Sequence, residues 1–293
     1  MSSDFASEQA GTYAIGDVQG CFTALGELLS RVEPYHSLWF AGDLINRGPQ
    51  SHATLAWAYE QQDRIRLVLG NHDLYAISRW AAVAKAKKSD TLAALLADSK
   101  ANDYFHWLRE QPFFYRDGQL PWSMVHAALD AEWNLADADG HAEEIQRALR
   151  GKNWKRFLRR LWESEAPQRW RDCRNEEDAQ RFRVAVFTRA RWVRDDGLYA
   201  WTNDAPDASY LPWHQRFFAR QKEGALVCGH WATQGLLVND RLLALDSGCV
   251  WGRQLTAARI DQTPAAIVQV NCDGFSGVAT PSASKKLERL PHA

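Results

Sequence analysis

Five times along this chain a short apolar run stops at a polar cluster, four of them through a glycine. Thr12-Tyr13-Ala14-Ile15 leads into Gly16-Asp17-Val18-Gln19-Gly20, and Ser37-Leu38-Trp39-Phe40-Ala41 into Gly42-Asp43-Leu44-Ile45-Asn46-Arg47-Gly48-Pro49. Ile65 to Leu69 leads into Gly70-Asn71-His72-Asp73, Trp122 to Val125 into His126, and Ala225 to Cys228 into Gly229-His230-Trp231. Runs of this length, bounded by turn residues, read as buried strands. Helical stretches follow the first three: Leu25, Leu28, Leu29 and Val32 share one face, Ser51 to Gln61 starts at a candidate N-cap serine, and Leu74 to Lys85 follows the third cluster. Strand and helix in alternation make an α/β fold with parallel neighbours joined by crossovers. The polar ends of such strands meet at one edge of the sheet, where open α/β folds build their sites. Asp17, Asp43 and Asn71 are therefore expected to converge.

The convergent groups are carboxylates, amides and imidazoles, with no thiolate. That donor set fits open, catalytic cation positions and does not fit a closed structural zinc site. Two divalent cations about 3.5–4 Å apart need a shared carboxylate between them. Asp43, in the middle unit, is the candidate bridge; Asp17 and Gln19 would complete one position, and Asn71, His126 and His230 the other. Any one of these residues alone would more often be a turn former or a hydrogen-bonded core group. Their joint order, each at a strand end, is what points to a metal pair.

Composition bounds the alternatives. The chain has 293 residues and a formal net charge of -1, so no broad field steers it toward nucleic acid or an anionic membrane. An anion site must then be built locally, from cations or metals. No apolar run reaches the roughly 18 residues of a membrane span, and Met1-Ser2-Ser3-Asp4-Phe5 carries no secretory pattern, so a cytoplasmic location is expected. The five cysteines form no CxxC pair and read as reduced thiols. Residues 1–10 read as a flexible lead, 11–272 as one catalytic domain and 273–293 as a flexible tail. From about 130 to 222 arginine and tryptophan alternate with acids in helical periods, which reads as a helical cap or insertion. Tryptophans are numerous, 14 in all, and serve either as core or as faces for a flat ligand.

The ordered set GDVQG, GDLINRG, GNHD, His126 and Gly229-His230 resembles the phosphoprotein-phosphatase-type metallophosphatases over about residues 12 to 260. Gly229-His230-Trp231, the run Ala244 to Gly252, and Phe187-Thr188-Arg189-Ala190-Arg191 look like the bacterial symmetrical diadenosine tetraphosphatases. The resemblance implies a four-layer α/β/β/α sandwich, a dinuclear site and hydrolysis of dinucleoside tetraphosphates to two nucleoside diphosphates. The same resemblance implies removal of nucleoside-tetraphosphate caps from RNA as a second activity. By the same likeness Asp17, Gln19, Asp43, Asn71, His126 and His230 are the metal ligands. His72 and Asn46 are the catalytic pair, and Arg47 with Arg189 or Arg191 binds phosphate. Oligomeric state stays open.

Two departures carry chemical meaning. Gln19 stands where the family pattern has histidine. A neutral amide suits a hard ion, so two manganese ions are expected, with cobalt or magnesium as alternatives. Asn46 stands where protein phosphatases have the aspartate that orients the catalytic histidine. A seryl alkoxide leaves with a basicity near that of water, roughly pKa 15. A nucleoside diphosphate leaves through a phosphate of pKa about 6. Losing a carboxylate behind His72 is tolerable for the second and damaging for the first, which favours an anhydride substrate over the rival, a protein serine/threonine phosphatase.

Overall fold

The computed structural model describes residues 10–274, so nearly all of the expected flexible lead and tail lies outside the described residues. Two five-stranded sheets carry the chain. In the first, β1 (Gly11–Ile15), β2 (Tyr35–Phe40) and β3 (Ile65–Leu67) are parallel. β12 (Gln254–Arg259) joins β1 antiparallel, and β13 (Ala266–Asn271) closes that edge. In the second, β5 (Trp122–Val125), β9 (Ala225–Cys228) and β11 (Leu242–Ala244) are parallel. β4 (Phe114–Tyr115) and β10 (Leu237–Val238) flank them antiparallel.

Side chains alternate across each strand, and the two faces enter two different cores. Ala14, Trp39, Ala41 and Val68 from the first sheet meet Trp122, Met124, Ala225, Val227 and Leu243 from the second in one buried cluster. Their neighbours Tyr13, Ile15, Leu38, Phe40, Leu226, Cys228 and Leu242 face outward into a second cluster shared with the helices. There α1 (Phe22–Val32) packs on β12 and β13, and α6 (Leu135–Arg150) packs on β4. The layers run helix, sheet, sheet, helix, as expected. Trp39 is fully buried between the sheets, and truncating such a side chain to alanine costs about 3–5 kcal/mol.

The helices after the strands start and stop differently from the sequence expectation. α2 spans Ser51–Glu60 with Gln50 at its N-cap. Ser51 is its first residue and is not the cap; its Oγ instead accepts the Asn46 N–H at 2.9 Å. α3 spans Asn71–Trp80, so it begins inside the polar cluster and ends well before Lys85. The Asp73 carboxylate accepts the Gly70 N–H at 3.0 Å, which satisfies one free donor of the helix start.

α4 (Ala93–Leu96) and α5 (Ala101–Arg109) follow before the second sheet. The segment 130–222 contains α6, α7 (Trp154–Glu163), α8 (Glu176–Arg189) and α9 (Trp213–Arg220). It is not purely helical: β6 (Trp192–Arg194), β7 (Tyr199–Ala200) and β8 (Tyr210–Pro212) form a third, antiparallel sheet. Strands of two or three residues are too short to show a period. The expectation that all cysteines are reduced is also corrected. Cys249 and Cys272 form a disulfide, with their Cα atoms 5.3 Å apart, while Cys21, Cys173 and Cys228 are free. The β12–β13 hairpin pairs Gln254 with Asn271 and so brings together two cysteines with no sequence motif between them.

Candidate metal centre and active site

The polar clusters follow the carboxyl ends of parallel strands from both sheets. β1 supplies Asp17 and Gln19, β2 supplies Asp43, Asn46 and Arg47, and β3 supplies Asn71 and His72. β5 delivers His126, and β9 delivers His230. All six expected ligands come together. Asp17, Asp43 and His126 offer ligand atoms within 4.8 Å of one another, and all three are buried. His126 Nε2 lies 3.5 Å from Asp43 Oδ1 and 3.2 Å from Asn71 Oδ1. The rings of His126 and His230 stand 5.0 Å apart, and the His230 N–H donates to Asp17 Oδ1 at 3.0 Å.

The hydrogen bonding points to cations at this centre. His126 Nδ1 donates to the Ala41 carbonyl at 2.7 Å, since a carbonyl only accepts. Burial lowers the pKa of this ring, so its neutral form leaves Nε2 bare. That bare nitrogen faces Asp43 Oδ1 and Asn71 Oδ1, three acceptors with no proton between them. Asp17 Oδ2 and His230 Nε2 are buried and lack any hydrogen-bond partner. Buried polar atoms are rarely left so, and these two are the lone pairs that a divalent cation would take. The donor set present therefore fits the expected metals. Gln19 joins the group through its side-chain amide. Its Nε2 donates to Asp43 Oδ2 at 3.2 Å.

Burial and charge crowding act together on these groups. Burial raises the Asp17 pKa well above the usual carboxylate range, and Asp246 and Asp43 push it the same way. Burial likewise lifts Asp73 to about 7 and Asp246 to about 6. His230 is driven well below its ordinary value by burial, with Arg191 adding to the effect. Asp73 has a structural task. Its Oδ1 accepts the N–H groups of Leu44 and Ile45 while Oδ2 holds Gly70, stitching the β2 loop to the start of α3.

The site backbone is strained. Gln19, Asp43, Asn46, Arg47 and His230 all have positive φ, between 47° and 77°, although none is glycine. Such conformations persist only where surrounding contacts hold them, and they gather at functional sites. The glycines of the repeated pattern have a different reason. A Cβ on Gly70 would meet Asp43 Oδ1 at 2.1 Å, and one on Gly229 would meet Asp17 Oδ1 at 2.0 Å. Each leaves room for a carboxylate contributed by another strand end.

His72 is held by two contacts. Its backbone N–H donates to Asp43 Oδ1 at 2.7 Å, and its Nδ1 lies 3.1 Å from Asn46 Nδ2. Asn46 Oδ1 is occupied by the N–H groups of Arg47 at 2.9 Å and Thr91 at 3.3 Å, which fixes the amide orientation. The Asn46 amide therefore donates to Nδ1, and the neutral ring carries its proton on Nε2. Burial lowers the His72 pKa to about 4, in the same sense.

Around the centre opens a cavity of about 700 Å³. Arg47, Arg189 and Arg191 all line it. Arg191 is set among the acids: its guanidinium donates to the His230 carbonyl at 3.3 Å, and burial pulls its pKa to about 10 against the pull of Asp246, Asp17 and Asp43. The sequence reading missed Asp246 as a site residue. It follows β11 just as Asp17 follows β1, it is buried, and it lines the cavity. The signal was present in Asp246-Ser247-Gly248, a sixth apolar run ending in a polar turn. Lys87 and Trp162 also line the cavity, from α3's following loop and from α7, and neither carries a motif.

The calcineurin-like phosphoesterase family matches residues 12–234. A protein of Paraburkholderia phymatum named symmetrical bis(5'-nucleosyl)-tetraphosphatase is 40% identical over 278 residues, 92% of this chain and 97% of its own length. One of the same name from Burkholderia thailandensis is 40% identical over 269 residues, covering 89% and 94%. Among solved structures, a candidate diadenosine tetraphosphatase aligns over 92% of this chain and 96% of its own, with TM-score 0.61 and 21% identity. A protein serine/threonine phosphatase of Saccharomyces cerevisiae aligns over 95% and 83%, with TM-score 0.50 and 13% identity. These last two are likenesses of fold. The chain belongs to the calcineurin-like phosphoesterase family, within the group whose curated relatives are named symmetrical bis(5'-nucleosyl)-tetraphosphatases.

Proposed function

We propose that the protein is a metal-dependent hydrolase that splits diadenosine tetraphosphate symmetrically into two molecules of ADP. Water adds to an inner phosphorus, and the central P–O–P bond breaks. The observation that carries this reading is the pair of unpartnered buried atoms, Asp17 Oδ2 and His230 Nε2, beside the bare Nε2 of His126. The names of the 40% identical relatives supply the substrate.

Asp17, Asp43, Asn71, His126 and His230 would hold two divalent cations, with Asp43 between them and Gln19 either as a ligand or as a donor to Asp43. Manganese is the expected ion. Bound cations would neutralise phosphate oxygens and make water a better nucleophile. The chain's own residues do the rest. Arg47 and Arg191, with Arg189 at the cavity wall, bind the equatorial phosphate oxygens, where charge must be neutralised in phosphoryl transfer. His72 presents Nε2–H to the departing ADP, and Asn46 keeps the proton on that nitrogen. A diphosphate needs a hydrogen bond more than a full proton, which a neutral imidazole supplies.

We read residues 11–272 as the catalytic domain. A tetraphosphate cap on RNA presents the same anhydride chain and is a further substrate of this reading. Among the described residues no helix is long and apolar enough to cross a membrane, and a cytoplasmic location goes with the reading. Product analysis tests it. Diadenosine tetraphosphate with the manganese-loaded protein should yield ADP alone. ATP with AMP would mean asymmetric cleavage, and faster release of phosphate from a phosphoserine peptide would favour a protein phosphatase.

A further inference from the structure

Resting on that reading of the site, we infer that Trp162 is the platform on which one adenine of the dinucleotide stacks. Trp162 is 44% exposed, and among the described residues no other Phe, Tyr or Trp is as open to solvent. The exposure is not slack. Its Nε1–H donates to Ser78 Oγ at 3.0 Å, and Ser78 Oγ donates in turn to the Leu74 carbonyl at 2.8 Å. A residue of α7 is thereby fastened to α3, the helix that carries Asn71 and His72. A flat apolar face held rigid and left open is what a base requires, because stacking needs a π surface and little ordering cost.

Position supports the same occupant. Trp162 lines the catalytic cavity and also a smaller recess beside it. Leu74, Leu161, Val184 and Ala185 give that recess apolar walls, and Asn71 and Arg189 stand at the side shared with the metal centre. A base on Trp162 would thus have its phosphates beside Arg189 and the cation ligands. The other cavity tryptophans are less suited. Trp201 already stacks on Tyr199, with ring centroids 5.1 Å apart, and both Trp201 and Trp251 are half-buried. No aromatic ring among the described residues packs on Trp162.

The test is binding of ADP and of inorganic pyrophosphate to the full-length, manganese-loaded protein by calorimetry. Trp162→Ala should weaken ADP about tenfold, the value of one base stack, and change pyrophosphate by less than twofold. An ADP affinity within twofold of wild type, or an equal loss for both ligands, would overturn the inference. Trp162→Phe gives up the bond to Ser78 but keeps an aromatic ring in place, which guards against misfolding. ADP should quench tryptophan emission in the wild type, and most of that quench should vanish in Trp162→Phe; an undiminished quench would also overturn it. These readouts need no turnover. If the wild type releases no ADP from diadenosine tetraphosphate, the proposed reaction falls while the binding results still decide the role of Trp162.

Discussion

The backbone N–H of His230 donates to Asp17 Oδ1 at 3.0 Å across 213 residues of sequence. That bond ties the first strand end of one sheet to the strand end of the other. It is made possible by Gly229, whose missing side chain leaves the space that the Asp17 carboxylate fills. The candidate metal centre is therefore an inter-sheet object. Neither sheet holds all six candidate ligands.

Asp43 lies at the centre of this arrangement, facing Gln19, His72 and His126 at once. Asp43→Asn should lower kcat by about 10³-fold or more, the scale of losing a metal bridge, with an unchanged circular dichroism spectrum. Metal analysis of the purified variant should show less than two ions per chain. Full turnover in manganese-supplemented buffer would remove Asp43 from its bridging role.

Asn46 sets the pH dependence. With Nδ1 accepting from the Asn46 amide, His72 keeps Nε2–H in its neutral form, and its pKa of about 4 lies below the working range. No limb from His72 is expected in the pH–rate profile between pH 5 and 9. Asn46→Asp reverses the hydrogen bond. Nδ1–H then donates to a carboxylate, which favours the imidazolium and raises the pKa. Nε2 then carries a proton only in the charged form, so activity should fall as pH rises. The variant should be about tenfold slower at pH 9 than at pH 6.5. A profile that stays flat would mean that the reaction does not use the His72 Nε2–H.

Asp246 is the residue for which the site makes a new demand. It crowds Asp17 and Asp43 and balances Arg191. Asp246→Asn should weaken metal binding about 10- to 100-fold, the usual cost of a lost supporting carboxylate. Titration with manganese, followed by restored turnover, measures it. An unchanged metal affinity would confine Asp246 to holding its own turn, where its Oδ1 accepts the Gly248 N–H.

Gln19 is the position at which the choice of metal is tested. An imidazole at this position is a better ligand for zinc than an amide is. Gln19→His should shift the preference toward zinc by about tenfold relative to manganese, read by competition between the two ions. An unaltered preference would show that the side chain at position 19 acts only through its hydrogen bond to Asp43.

The sequence by itself determined the alternation of strand and helix, and with it the gathering of Asp17, Asp43 and Asn71. Parallel strands place their carboxyl ends together whatever the details of packing. It also determined the donor chemistry, because the residue types are visible without coordinates. Only the tertiary structure decided which side chains face which. That Asn46 donates to His72 depends on Thr91 and Arg47 occupying its oxygen. That Gln19 points its nitrogen at Asp43 is a local rotation that no spacing encodes. The Cys249–Cys272 disulfide and the tether from Trp162 to Ser78 are likewise contacts between separate parts of the chain. They arise where two sheets and a cap close on each other, and a one-dimensional pattern carries periodicity but not the meeting of distant surfaces.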